Sequence, residues 1–346
     1  MSLPTLSVLD LVPVRSDQCS ADAVAATLAL ARVADELGFH RYWLAEHHNM
    51  PAVAATSPPV LIGLVAGATQ RMRVGSGGVM LPNHAPLVVA EQFALLEAAF
   101  PGRIDLGLGR APGTDQVTAF ALRHGGPAEE AAEAVTRFPE YVDNVVAMMN
   151  PAGVGLSVGG RSHAVRATPV ATSTPDVWLL GSSDYSARLA AQQGLPYVFA
   201  HHFAGRGTAE ALEIYRSSFQ PSATLAEPRT FLTVNAVVAP TAEQAQQLAL
   251  PNLLMMLALR TGQPLAAQLL VEEAEGVDLP PAHRDLLAAM QRHWVIGTPE
   301  QAKARLVELA ERFEVDEIMV HPVAGAHLGA QADRSPGREA TLRLLI

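Results

Sequence analysis

A short apolar run followed by a stretch with helical spacing recurs eight times along the 346 residues, and this alternation limits the fold more than any other feature of the chain. The apolar runs are Leu6–Asp10, Tyr42–Ala45, Arg73–Met80, Ile104–Leu108, Val177–Leu180, Pro196–Ala200, Phe231–Val238 and Glu317–Val320. The helical patterns between them carry their own punctuation: Asp22–Leu37 stops at Gly38, and Ser57–Thr69 opens on a serine and a proline pair. Thr298, Pro299 and Gln301 supply a cap, a first-turn proline and a capping-box partner. Parallel strands need a crossover, which a helix provides, so the alternation predicts a parallel sheet. Eight is also the number of units that closes on itself. The expectation is an α/β chain folded as one domain over residues 1–346, a (β/α)8 TIM barrel, an architecture that takes about 250 residues. The surplus falls in two insertions. The one after strand 4, about 150–174, alternates Gly, Ser and Val and reads as a small β excursion; the one after strand 7, about 262–294, has proline breaks and reads as helical. One long helix is expected over Ala128–Met149.

Composition narrows the function. With 49% hydrophobic and 17% charged residues the chain can bury a large core, which excludes a disordered protein. Cys19 is the only cysteine, so no internal disulfide can form. That, with no basic-then-apolar leader and no apolar run of about 18 to 20 residues, predicts a cytoplasmic protein. A net charge of −10 without a basic run argues against nucleic acid or an anionic membrane as partner. Ser57–Thr69 and Leu87–Phe100 carry too few polar positions for solvent-facing helices, so a homodimer is expected.

Polar chemistry collects where the predicted strands end. Tyr42 to Ala45 breaks into Glu46, His47 and His48 before Pro51; His201, His202 and His321 also follow strands directly, and His84 follows by a short loop. In a barrel these positions share one mouth, where ligands bind. Gly181, Ser182, Ser183 and Ser186 open a helix: alone they read as plain N-capping by Ser183 or Asp184, but Arg110, ending the neighbouring strand with a fork geometry that suits phosphate, turns the reading toward an anion site. Gly75, Gly77 and Gly78 inside a strand mark a bulge or a close approach by a ligand. The Gly107–Gly113 run misses the dinucleotide fingerprint by one residue and follows the fourth strand, so no nicotinamide site is expected.

At these residues the chain resembles the bacterial luciferase-like flavin monooxygenases. The likeness runs through Ala45–His48, Val74–Pro82, Pro101–Arg110, Gly181–Ser183 and Gly194–Pro196, and returns at Ile296–Glu300. It implies a TIM barrel that uses reduced FMN and dioxygen, through a C4a-peroxyflavin, on a small organic substrate, often as a homodimer. It implies a catalytic His47 with Glu46 adjacent, and Gly77–Gly78 under the isoalloxazine, often with a cis peptide. Arg110, Gly181, Ser182, Ser183 and Ser186 would hold the flavin phosphate. A separate reductase would supply the reduced flavin. Gly109 stands where the luciferases carry a cysteine, which argues against light emission; the single-chain subgroup with Glu-His-His-Asn-Met-Pro, some of whose members resemble natural-product tailoring oxygenases, is closer. Two alternatives stand beside this one. A relative could use the deazaflavin F420 for hydride transfer. A metal-dependent hydrolase on the same barrel would want His-x-His at the first strand, which here ends in Asp10, so no metal is expected.

Overall fold

A computed structural model describes residues 3–111, 113–122 and 128–346. Its strands, in chain order, are β1 (Thr5–Asp10), β2 (Arg41–Leu44), β3 (Arg73–Ser76), β4 (Val79–Met80), β5 (Ile104–Gly109), β6 (Val154–Val158) and β7 (Arg161–Val165). There follow β8 (Asp176–Gly181), β9 (Tyr197–Phe199), β10 (Thr230–Val238), β11 (Val295–Gly297) and β12 (Glu317–Pro322). The strands β1, β2, β3, β5, β8, β9, β10 and β12 pair in parallel in that order. β12 then returns to β1, from Thr5↔Glu317 to Val8↔Val320, so the sheet closes as a TIM barrel.

Where the structure departs from the expected boundaries, the reasons are local. The third strand is not continuous to Met80: it breaks at Gly77 and Gly78, joined by a cis peptide, and resumes as β4 beside β5. The helix expected over Ala128–Met149 is two, Ala128–Thr136 and Phe138–Met148, with Pro139 in the first turn of the second, where its missing N–H costs nothing. The first insertion carries the β6–β7 antiparallel hairpin. The second carries helices Val271–Glu275 and Pro281–Gln291 and is tied to the loop after β1, where Gln268 N–H donates to Val14 O at 2.7 Å and Ser16 N–H to Gln268 O at 2.8 Å. β11, which follows it, pairs with the end of β10. The Thr298 capping box forms as expected, with Thr298 N–H on Gln301 Oε1 at 3.0 Å.

Inward-facing side chains plug the barrel. Leu9, Trp43, Trp178, Val198, Phe231 and Met319 form one buried cluster. The Arg41 guanidinium lies 5.0 Å from the Trp178 ring centre and 5.4 Å from that of Phe231, bonded to Asp105 at 2.8 Å and Glu317 at 2.7 Å. Asp105 also accepts from Trp43 Nε1 and Arg73 Nε. Polar groups thus fill the amino-terminal end of the barrel while its carboxyl-terminal end is left for chemistry. A larger apolar core separates strands from helices.

Gly107 shows how tightly the strands approach. A Cβ there would sit 2.1 Å from Ser76 O and 2.8 Å from Leu180 Cδ1, and Ser76 Oγ already bridges Gly107 N–H and C=O at 2.9 Å each. Gly107→Ala is therefore expected to lower stability by about 2–3 kcal/mol in urea unfolding. Gly67→Ala, on a helix where a Cβ meets nothing within 4 Å, should be neutral or slightly stabilising. Equal effects at both positions would refute the packing argument.

Candidate active site at the barrel mouth

Glu46 continues β2 into the mouth and is fully buried. Its Oε1 accepts from His48 Nε2 at 2.8 Å and His84 Nε2 at 2.7 Å, and its Oε2 accepts the Met80 N–H at 3.0 Å. Burial pushes the carboxyl pKa up, but the bonds from His84, His48 and Met80 outweigh it and hold the group below its usual value. The carboxylate therefore ties the loop after β2 to β4 and to the turn that follows it. The ligating atoms of Glu46, His48 and His84 lie within 4.8 Å of one another. The two nitrogen–oxygen separations are hydrogen-bond lengths, shorter than the ~3.3 Å between two ligands of one tetrahedral zinc.

His47 is half-buried, and its backbone N–H donates to Ala55 O at 2.8 Å. Its Nδ1 is sealed in the packing with no partner among the described residues. Burial lowers its pKa, and the charge of Glu46 only partly offsets this, so the resting imidazole is neutral at pH 7. His202 and His321 stand across the mouth with ring centres 6.0 Å apart. Burial takes His202 down to about 4, with His201 and His47 adding to the effect. His321 lies well below its ordinary value for the same first reason, helped by His202, Arg338 and His47.

The strand-end histidines thus sort into three groups rather than one. His47, His202 and His321 influence one another; His48 and His84 converge on Glu46. His201 leaves the mouth: its Nδ1 bonds Thr208 Oγ1 at 2.7 Å, and its ring packs on Phe313. The short helix His201–Ala204 sends the adjacent rings of His201 and His202 in different directions.

On the neighbouring side, the Arg110 guanidinium lies 3.8 Å from the ring centre of Tyr185. Tyr185 belongs to the helix Asp184–Gln193, whose N-cap is Ser183, and the Ser183 hydroxyl makes no capping bond. Ser182 and Ser183 are exposed, and Ser186 is buried with its Oγ 2.7 Å from where a Gly181 Cβ would stand. The structure therefore brings Arg110, Gly181, Ser182, Ser183 and Ser186 to one helix N-terminus, an arrangement that fits a phosphate. The arginine and histidine sides are linked through the loop after β5, since a Cβ on Gly113 would lie 3.1 Å from Glu46 O.

Gly77 and Gly78 border the same mouth, but their missing Cβ atoms point into protein. One at Gly77 would meet Leu9 Cδ1 at 2.9 Å; one at Gly78 would meet Leu180 Cδ1 at 2.3 Å and Gly107 O at 2.8 Å. Packing alone requires glycine at Gly78, where the Gly107 backbone stands in the way; at Gly77 the tip of Leu9 would have to shift. At Gly109 a Cβ would lie 3.1 Å from Met80 Sδ, so a side chain there needs Met80 to move.

Sequence reading missed two elements of the site. Thr233 and Asn235 on β10 bond His202 and His321, at 2.8 and 2.9 Å, and their two-residue spacing within an apolar strand was the available signal. Asp10, noted only as a strand end, is fully buried and paired with Arg338 of the helix Pro336–Leu345.

A parallel barrel whose carboxyl-terminal mouth sets neutral imidazoles beside an arginine-flanked helix N-terminus is a small-molecule enzyme scaffold. The chain belongs to the luciferase-like monooxygenases, whose family model matches residues 5–316. A luciferase-like monooxygenase of Escherichia coli is 39% identical over 91% of this chain and 90% of its own. The N-acetyl-S-alkylcysteine monooxygenase of Bacillus subtilis is 31% identical over 91% of each. Among solved structures, apo-MsnO8 superposes with a TM-score of 0.84 at 31% identity, covering 99% of this chain and 96% of that one. More distant structures share the fold alone: the oxygenating constituent of the Pseudomonas putida 3,6-diketocamphane monooxygenase with FMN (TM-score 0.70, 17% identity) and an F420-dependent secondary alcohol dehydrogenase (0.65, 13%). No helix among the described residues is long and apolar enough to cross a membrane.

Proposed function

We propose that this protein is a monooxygenase that binds reduced FMN and uses dioxygen to oxidise a small organic substrate. The observation that carries the reading is the cradle of Arg110 and the Ser183 hydroxyl, which makes no capping bond, at a helix N-terminus, which suits the phosphate of FMN. Gly181, Ser182 and Ser186 complete that cradle, and the Gly77–Gly78 backbone would lie under the flavin ring. Reduced FMN, when bound, supplies the electrons that activate dioxygen. His47, neutral and with its enclosed Nδ1 unpartnered among the described residues, holds or returns a proton at Nε2. Glu46 keeps His48, His84 and the β4 backbone in place around it. The insertion tethered at Gln268 stands beside the mouth and limits access of water. The substrate class is best sought first among N-acetyl-S-alkylcysteines, the substrates named for one relative.

Titration with FMN, riboflavin and F420 tests the reading. FMN should bind more tightly than riboflavin, because the cradle recognises phosphate, and F420 should bind weakly. Arg110→Ala should weaken FMN about 30-fold and leave riboflavin unchanged, the loss of one charge-assisted phosphate contact. Tight F420 binding with no FMN binding would overturn the proposal in favour of hydride transfer.

A separate reductase as the source of reduced flavin, and a homodimer, belong to the same proposal. The two apolar helices, Pro58–Ala68 and Pro86–Ala99, expose Val60 (63%), Leu64 (46%), Val88 (48%) and Leu95 (58%). These residues form the face offered to a second copy. Val60→Glu with Leu95→Glu should shift the mass measured by light scattering from two chains to one; a monomeric parent would refute this assembly.

A further inference from the structure

The hydrogen bonds around His202 and His321 fix which ring nitrogen carries the proton. The Asn235 amide nitrogen donates to His202 O at 2.8 Å, so its oxygen must face His321 Nδ1 at 2.9 Å, and that nitrogen is the donor. The Thr233 hydroxyl donates to Phe199 O at 3.1 Å, which leaves its oxygen to accept from His202 Nδ1 at 2.8 Å. In both rings Nε2 then carries a lone pair. Neither Nε2 has a partner among the described residues, and neither is sealed in the packing, unlike His47 Nδ1.

We infer that His202 and His321 form an acceptor pair at the barrel mouth that binds the substrate through a hydroxyl or N–H group, and that this pair selects against groups that can only accept. The inference rests on the monooxygenase reading for the word substrate, but not for the binding chemistry. A hydroxyl or amide placed between two lone pairs gains a hydrogen bond, whereas an ether or carboxylate oxygen there meets two lone pairs of like partial charge and gains none. The low basicity of both rings supports this, since neither switches to a donor near neutral pH. Asn235 and Thr233 are positioning residues in this scheme, acting through the imidazoles they orient.

Long-range proton–nitrogen spectra of 15N-histidine-labelled protein at pH 7 test it without any turnover. His202 and His321 should appear as neutral Nδ1–H tautomers. Cyclohexanol should shift both Nε2 resonances saturably and bind about tenfold more tightly than methoxycyclohexane, with cyclohexanecarboxylate weaker still. His202→Phe with His321→Phe should remove the preference for cyclohexanol over its methyl ether. Nε2–H or charged rings, equal binding of alcohol and ether, or no response to cyclohexanol would each overturn the inference. So would FMN itself shifting both nitrogens, which assigns the pair to the cofactor. If FMN fails to bind while the alcohol preference persists, the monooxygenase reading fails and the acceptor pair stands.

Discussion

Arg338→Met is expected to lower the free energy of unfolding by about 3–5 kcal/mol, because it strands a carboxylate inside the protein. Asp10 lies at the end of β1, fully buried, and accepts from Tyr42 Oη at 2.5 Å, Thr27 Oγ1 at 2.8 Å and the Val12 N–H at 2.8 Å besides the Arg338 guanidinium. Arg338 also donates to Pro322 O at 2.9 Å, so one guanidinium joins β1, β12 and the last helix. Burial alone would push the Asp10 carboxyl up; Arg338 and the bonds from Tyr42, Val12 and Thr27 outweigh it and hold it below the ordinary value of 3.8. A carboxyl depressed in the folded state stabilises above its unfolded pKa, and that stability is lost as pH falls through the folded one. In the variant the guanidinium is gone and the carboxyl rises, so protonation relieves the defect. The gap between variant and parent should therefore be full at pH 7 and narrow as pH drops toward 4. Urea unfolding at both pH values decides it: a gap under 1 kcal/mol, or one that does not change with pH, would show that Asp10 does not depend on Arg338.

The separation of these two residues in sequence explains why the pair was not legible. Periodicity reports which face a residue takes on its own element, and that suffices for the eight barrel strands and the Thr298 cap. It cannot report contacts made 328 positions apart. The same limit explains the break at Gly77–Gly78, set by Leu180 and Gly107 on other strands. β11, at three residues, is too short to carry a pattern. Pro139 is the signal for the break within Ala128–Met149, although the helical spacing runs on across it. At the site, residue types and their placement at strand ends were legible. Direction was not: one turn of helix decides that His202 faces the mouth and His201 does not. The family resemblance places Glu46 beside a catalytic His47, but it does not reveal what the carboxylate bonds. Its three bonds tie the loop after β2 to β4 and the turn beyond it.

His47→Asn should reduce turnover by about 10²–10⁴-fold while leaving FMN affinity within a factor of two, the signature of a group that acts on a proton rather than on binding. The geometry supports this assignment over His202 and His321, whose Nδ1 atoms are committed to Thr233 and Asn235 respectively. His47 has no such anchor; its Nδ1 is enclosed without a partner, so exchange with a ligand goes through Nε2. Burial makes its protonated form costly, so the neutral ring should persist below the ordinary histidine value of 6.5. Since the neutral form is the one able to accept a proton, turnover should hold from pH 8 down past 6.5 and fall only on the acid side of it. The acid limb should disappear in His47→Asn. Oxygen uptake coupled to product, measured with reduced FMN already bound, gives both readouts. A variant that keeps more than a third of parental turnover, or one that retains the acid limb, would move the proton chemistry from His47 to another group in the mouth.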